Sequence, residues 1–367
     1  MRGIRIPVHL GERSYDILVT RDHYSHLGIA LKRLGAGRRA LIVTNRPVRR
    51  KHGKDLEKTL RQAQISYTFF DKFPPDERAK SLDSVHRLIR ELMGVTADHL
   101  ICFGGGVLGD LTGFTAAIYK RGIPYIQVPT TLLAQVDSAI GGKTAVDLPE
   151  AKNFIGAFYQ PRLVYSDLKV LEDLPDRNFQ DGLAEAIKYG MIQDRRFFGF
   201  IETHAKRLLD REAKPLGHLV STCSRVKASV VEADEYDKKG KRILLNYGHT
   251  LGHALEQVVG YRMNHGRAIS IGMLLAADIS KGLGLLKKEE IRRLEELLRR
   301  VGLPITLKEL DSRRRWNLNR ILLAEGRDKK FVHDKNRYVL PIRIGKVVVK
   351  EGIPYPLIRH VLKKRLT

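Results

Sequence analysis

Cysteine is nearly absent from this chain: only Cys102 and Cys223 occur in 367 residues. Two thiols provide neither a disulfide framework nor a cysteine metal cluster. Cys102 lies inside an apolar run and reads as a buried small hydrophobe. No uninterrupted apolar stretch approaches the length of a membrane span. The first eight residues alternate charged and apolar side chains in the manner of a strand, and they lack the apolar core and cleavage site of a signal peptide. A cytoplasmic location is therefore expected. Internal repeats and low-complexity linkers are missing too. Apolar content of 43% is ordinary for a globular chain, and the length suits two domains or one large one.

Acidic residues are also scarce, 41 against 66 Lys and Arg, giving a net charge of +25. Basic residues are scattered, with denser patches at Arg313 to Arg315, Arg299–Arg300 and Lys363 to Arg365. No aromatic-interleaved basic stripe accompanies them, so nucleic acid is not the expected partner. A phosphorylated, carboxylated substrate accounts for some of the cations and a solvated surface for the rest.

The first half alternates between strand and helix patterns. Strands are expected at 39–44, 65–70, 98–103 and 125–128, with a helix near 81–93. Short apolar strands separated by helices imply a parallel sheet covered on both faces. From about Asp173 the pattern turns helical, apart from a hairpin expected at 338–349. The fold class is thus an α/β N-terminal nucleotide-binding domain with a parallel sheet, residues 1–172, followed by a mainly α-helical C-terminal domain, residues 173–367. A cleft between two such domains is a natural place for chemistry.

Histidine is concentrated in one stretch. His249 and His253 are four residues apart, so on a helix both rings leave the same face. His265 follows shortly after. A third histidine and a carboxylate from elsewhere would complete an open zinc-type site. The metalloprotease pattern is excluded, because Thr250 stands where its catalytic Glu would be. The same stretch would equally suit two capping or core histidines and one surface histidine.

Two glycine loops precede this stretch. Gly104, Gly106 and Gly109 match G-x-G-x-x-G between a strand and a helix-like run, where backbone N–H groups can face a pyrophosphate. The loop sits on the third strand rather than the first. Thr130 and Thr131 stand at the end of the next strand in place of an acid, so a dinucleotide would bind in a non-standard way. The run Asp137 to Thr144 ends in Gly-Lys-Thr, but Asp137 occupies the first glycine position of a Walker A loop and rules that motif out. Lys143 beside two glycines can still reach a phosphate.

Taken together, the segments Gly104–Phe114, Tyr119–Gly122, Gln127–Leu133, Asp137–Thr144, Lys152–Gly156, Gly182–Lys188, Ala233–Glu235, Arg242–Glu256 and His265–Gly266 resemble the 3-dehydroquinate synthase family of sugar-phosphate cyclases. Their order and spacing cover about residues 38 to 345. The resemblance implies an NAD-dependent, divalent-metal-dependent lyase of the shikimate route. It would act on 3-deoxy-D-arabino-heptulosonate 7-phosphate and release phosphate to give 3-dehydroquinate. NAD takes a hydride, phosphate is eliminated, the hydride returns, and an intramolecular aldol closes the ring.

By the same resemblance, Glu185, His249 and His265 would hold zinc or cobalt. Lys143, Asn153, Asn246, His253 and Lys329 would surround the phosphate, joined by Arg121 from the neighbouring subunit of a homodimer. Lys227 and Arg242 would grip the carboxylate, Lys188 would contact the substrate, and His253 would relay a proton. NAD would meet Asn45, Glu77, Lys80, Gly105, Gly106, Asp110, Thr130, Thr131, Asp137, Lys143 and Lys152.

The chain departs from the family pattern at Arg267, where Glu is usual, and at Asp173, where Thr is common. Either Lys329 or Lys330 could be the phosphate contact. Alternative functions are a sister cyclase of the aminocyclitol type and a metal-dependent alcohol dehydrogenase. Retention of Lys227 and Arg242 favours the heptulosonate acid.

Overall fold

A computed structural model describes residues 3–260, 263–312, 314–326 and 336–366. The chain divides into two compact units, residues 1–175 with 216–236, and residues 176–215 with 237–367. Segment 216–236, grouped by the sequence with the C-terminal half, packs instead with the first unit. The helix that carries it, Ala213–Ala233, buries Val220, Cys223, Ala228 and Val231. Its helical period predicts a buried face but not the unit that face will meet.

The first unit is built on nine strands: β1 (Ile4–Val8), β2 (Tyr15–Thr20), β3 (Arg39–Val43), β4 (Ser66–Phe70), β5 (His99–Gly104), β6 (Tyr125–Pro129), β7 (Lys143–Leu148), β8 (Ala151–Phe158) and β9 (Leu163–Asp167). Seven of them form one sheet in the order β1-β2-β9-β6-β5-β3-β4, and β7 and β8 form a separate antiparallel hairpin. The seven-stranded sheet is parallel except for β1, which runs antiparallel to β2. All six residues of β5 are buried, with no alternation, because helices cover both faces. Each fully buried aliphatic or aromatic side chain there, such as Leu100, Ile101 or Phe103, stabilises the fold by about 1.5–3 kcal/mol. Cys102 is fully buried as expected. Ser81 starts the expected helix, Leu82–Gly94, by accepting the Ser84 N–H on its hydroxyl.

The second unit is helical around the helix His265–Gly282, which is buried along most of its length. The helices Asp176–Ile192 and His249–Val258 and the strand β10 (Arg337–Arg343) pack on it. Strand β10 pairs with β11 (Lys346–Glu351) as the expected hairpin. Gly272 makes one of these contacts possible, because a Cβ there would lie 1.9 Å from the carbonyl oxygen of Gly248. That closeness brings the start of the His249–Val258 helix against the His265 helix. Among the described residues no helix is long and apolar enough to cross a membrane.

Candidate active site

In the second unit, residues 181–192 of the Asp176–Ile192 helix are buried without interruption. Asp181, Glu185 and Lys188 are its charged members there, and buried charge is the informative exception on such a helix. Glu185 is fully buried, and Lys188, one turn on, is its close ion partner. Gly248 takes φ 79° and ends the turn that delivers His249 as the first residue of the next helix. His265 is the first residue of its own helix.

These three elements converge. The Nε2 atoms of His249 and His265 each lie 3.5 Å from the same oxygen, Oε1 of Glu185. That is longer than a good hydrogen bond. It matches the edge of a tetrahedron of ligands about 2.1 Å from a central zinc-like ion, about 3.4 Å. The ligand atoms of Glu185, His249 and His265 all fall within 4.8 Å of one another. The outer nitrogens are also placed. His249 Nδ1 donates to the Tyr247 carbonyl at 3.0 Å, which leaves its Nε2 lone pair facing Glu185. His265 Nδ1 lies 3.4 Å from Oε1 of Glu256. Burial opposes a charge on His265, but Glu256 and Glu185 outweigh it and push its pKa up to about 10. One acid and two imidazoles aimed at a single point, each ring oriented from behind, fit a divalent cation. A second grouping, His253 with Glu256 and His265, shares a ring with the first, but its His253 side chain is 46% exposed and stands 4.0 Å from Glu256. Arg242 and Asn246 sit on one short turn, Arg242–Asn246, with Arg242 buried. Lys329 and Lys330 lie outside the described residues.

The first unit gathers most of the remaining candidates. Gly105 stands before the helix Gly106–Ile118, whose first turns carry Gly106 and Asp110. A Cβ on Gly106 would lie 2.6 Å from the Ser138 hydroxyl, so the π-helical turn Ala134–Ser138 packs directly on this glycine. Asp137 of that turn pairs with Lys227 at 2.5 Å. Lys80, only 5% exposed, pairs with Asp110 at 2.5 Å and donates to the Asn153 side chain. Burial opposes charge on Lys80, but Asp110 and Glu77 hold its pKa above the ordinary lysine value. For Asp110 burial wins and raises the pKa against the pull of Lys80 and Lys227. Lys152 lies 3.5 Å from Glu77. Asn45 is spent partly on capping, since its side chain accepts the Val48 N–H at the start of the helix Arg46–Gln62. Thr130 and Thr131 follow β6, and the Thr130 N–H reaches the carbonyl of Gly104. Lys143 is exposed at the start of β7. Arg121 is exposed with φ 66° and makes no ion pair among the described residues.

A cavity of about 590 Å³, lined in part by Arg5, Asp98, Pro124 and Arg162, lies at the other end of the sheet, where the parallel strands begin, and holds none of these candidates. Ligands of open α/β sheets bind instead beyond the strands' carboxyl ends, where Gly104 to Gly106, Thr130 and Thr131 stand. The sequence reading missed two side chains, Asp181 and Glu256. Both have a spacing signal: Asp181 is one turn before Glu185, and Glu256 is seven residues after His249, on the same face. Arg267 donates to the Glu309 carbonyl at 2.8 Å.

A unit built on a largely parallel sheet and a helical unit carrying an acid and two histidines make a fold shared by solved sugar-phosphate cyclases and alcohol dehydrogenases. Solved structures of this fold include ValA, a 2-epi-5-epi-valiolone synthase from Streptomyces hygroscopicus with NAD+ and Zn2+ bound, at TM-score 0.87 and 24% identity over 97% of this chain and 98% of that one. Another is a 2-deoxy-scyllo-inosose synthase complexed with carbaglucose-6-phosphate, NAD+ and Co2+, at TM-score 0.83 and 24% identity over 99% and 100%. An iron-containing alcohol dehydrogenase from Thermotoga maritima is more distant, at TM-score 0.64 and 16% identity over 95% and 97%. Residues 71–181 match the 3-dehydroquinate synthase N-terminal model and residues 182–331 the C-terminal model. The 3-dehydroquinate synthase of Thermodesulfovibrio yellowstonii is 42% identical over 98% of this chain and 99% of its own length, and that of Syntrophotalea carbinolica 40% over 99% and 100%. The chain belongs to the 3-dehydroquinate synthase family.

Proposed function

We propose that the chain converts 3-deoxy-D-arabino-heptulosonate 7-phosphate into 3-dehydroquinate and inorganic phosphate, as a carbon–oxygen lyase using NAD and one divalent cation, zinc or cobalt. The observation that carries this is the convergence of His249 and His265 on one oxygen of Glu185, each at 3.5 Å, in a chain with full-length relatives of this activity. When bound, the cation would supply Lewis acidity toward a substrate hydroxyl and NAD a reversible hydride acceptor, so that no net NADH would accumulate.

The chain's own groups do the rest. Glu185, His249 and His265 hold the cation with positions left open for substrate. His253, exposed one turn after His249, holds or moves a proton near the substrate hydroxyls. Arg242 and Lys227 grip the carboxylate, where a guanidinium offers two parallel donors. Lys188 contacts the substrate. Lys143, Asn153, Asn246 and Lys329 hold the phosphate, and Arg121 reaches it from the second copy of a homodimer. Asn45, Glu77, Lys80, Gly105, Gly106, Asp110, Thr130, Thr131, Asp137 and Lys152 hold NAD. The phosphate and carboxylate of this substrate need several cations, in keeping with the excess of Lys and Arg.

The test is phosphate release by protein stripped of metal and NAD, with each added back. Release that needs both, with no final gain in NADH absorbance, is expected. Turnover of glucose 6-phosphate in place of the heptulosonate acid, or one NADH per substrate consumed, would overturn the reading.

A further inference from the structure

The helix that presents His265 begins without the usual devices. Its N-cap residue, Asn264, makes no side-chain hydrogen bond to its own helix, and the first turn carries no acid. It carries a cation instead, Arg267, which is unfavourable at the positive end of a helix dipole. The missing anion comes from the neighbouring helix. Asp181, 6% exposed, accepts the Gly266 N–H on Oδ1 at 3.0 Å and the Asn264 side-chain amide on Oδ2 at 2.9 Å. Both donors flank His265. The approach is so close that a Cβ on Gly266 would lie 2.4 Å from the Asp181 Cα.

Asp181 and Glu185 are four residues apart, so they leave the same face of one buried helix. One carboxylate therefore holds the backbone N–H after His265 and the side chain of the residue before it, while the other offers the oxygen that His265 faces. We infer that Asp181 is a positioning residue, whose two hydrogen bonds to Asn264 and Gly266 set the distance between His265 and Glu185 and so tune the affinity for the divalent cation. This rests on the metal-site reading above. Asp181 touches neither the cation nor the substrate and acts only through His265. Arg267 of the same turn donates to the Glu309 carbonyl.

The experiment measures Co2+ affinity of the full chain by competition with a chelator, together with the visible absorption of the bound ion. Asp181→Ala is expected to weaken Co2+ binding by about 10- to 100-fold, the usual effect of removing a group that orients a metal ligand, and to change the band shape. Asp181→Asn keeps an acceptor for the Gly266 N–H and is expected to recover most of that loss, which keeps the test open if the alanine variant fails to fold. Asp194→Ala is the structural comparator. It removes an N-cap that accepts the Arg196 and Phe197 N–H groups on the Arg195–Leu209 helix, away from the cluster. It is expected to lower the melting temperature while leaving Co2+ affinity and spectrum unchanged. Equal Co2+ affinity in the parent and Asp181→Ala, or an Asp194→Ala loss as large as that of Asp181→Ala, overturns the inference and leaves the metal site standing. A parent chain that binds no Co2+ overturns both.

Discussion

The two polar centres of this protein each contain a close lysine–carboxylate pair but differ in what surrounds it. In the helical unit, two imidazole nitrogens stop 3.5 Å from a shared carboxylate oxygen, too far for good hydrogen bonds and well spaced for a common ion. In the sheet unit, the charged groups close on one another: Lys80 on Asp110 and Lys227 on Asp137, each at 2.5 Å. The first arrangement keeps a place for something small and strongly bound. The second neutralises itself, and under the proposed function an anionic or dinucleotide ligand would have to compete with these ion pairs for the lysines. A metal centre depends on fixed geometry, whereas a phosphate- or ribose-binding cluster depends on charges that can change partners.

Glu185→Gln should break that contrast most severely. It removes a proposed metal ligand and the carboxylate charge with which Lys188, 1% exposed, forms a close ion pair. Loss of metal-based stabilisation worth several kcal/mol predicts a fall in kcat/KM of about 10³-fold or more. Breaking the buried pair should cost about 3–5 kcal/mol of stability. Steady-state kinetics, elemental analysis and denaturant melts check these outcomes. Activity within tenfold of the parent would remove the distinction between the two centres.

Lys80→Met tests the self-neutralising cluster. Asp110 would lose its nearest cation while still subject to burial, and about 3–5 kcal/mol of stability should go with it, along with a raised KM for NAD. The double variant Lys80→Met with Asp110→Asn should be more stable than the single one, because no buried charge is left unmatched. A double variant no more stable than the single would show that the pair is not the unit that matters.

The smallest effect contrasts two histidines. His265, faced by two carboxylates, is pushed up, whereas His99 is fully buried at the start of β5 and burial lowers its pKa. The unfolded chain then takes up a proton more readily than the folded one. Stability from His99 is complete above the unfolded value, about 6.5, and declines as pH falls from there through the lower folded value, at up to about 1.4 kcal/mol per pH unit. His99→Phe should flatten that part of the stability–pH curve, read from urea midpoints. An unchanged slope would show that His99 is not its source.

Much of the sheet and of the metal cluster was readable because the signals are local. Strands β3, β5 and β6 announce themselves as apolar runs ended by Asn, Gly or Pro, and β4 as a short run rich in aromatic residues followed by Asp71. His249 and His253 share a face by spacing alone, and the resemblance supplied Glu185. What stayed hidden was tertiary. The hairpin of β7 and β8 is half-exposed, and its glycine and lysine residues read as a phosphate loop rather than a strand start. Strands β2 and β9 sit in the sheet through pairing with each other, which no local run declares. Segment 216–236 has a buried face whose partner no period specifies. Asp181 and Glu256 gain their importance only when separate helices meet around His265.

Anomalous scattering from zinc-soaked crystals of the full chain would test the central claim most directly. The expected result is one strong peak about 2.0–2.2 Å from a Glu185 oxygen and from Nε2 of both His249 and His265. A peak held instead by His253, Glu256 and Nδ1 of His265, or no peak among these side chains, would contradict it.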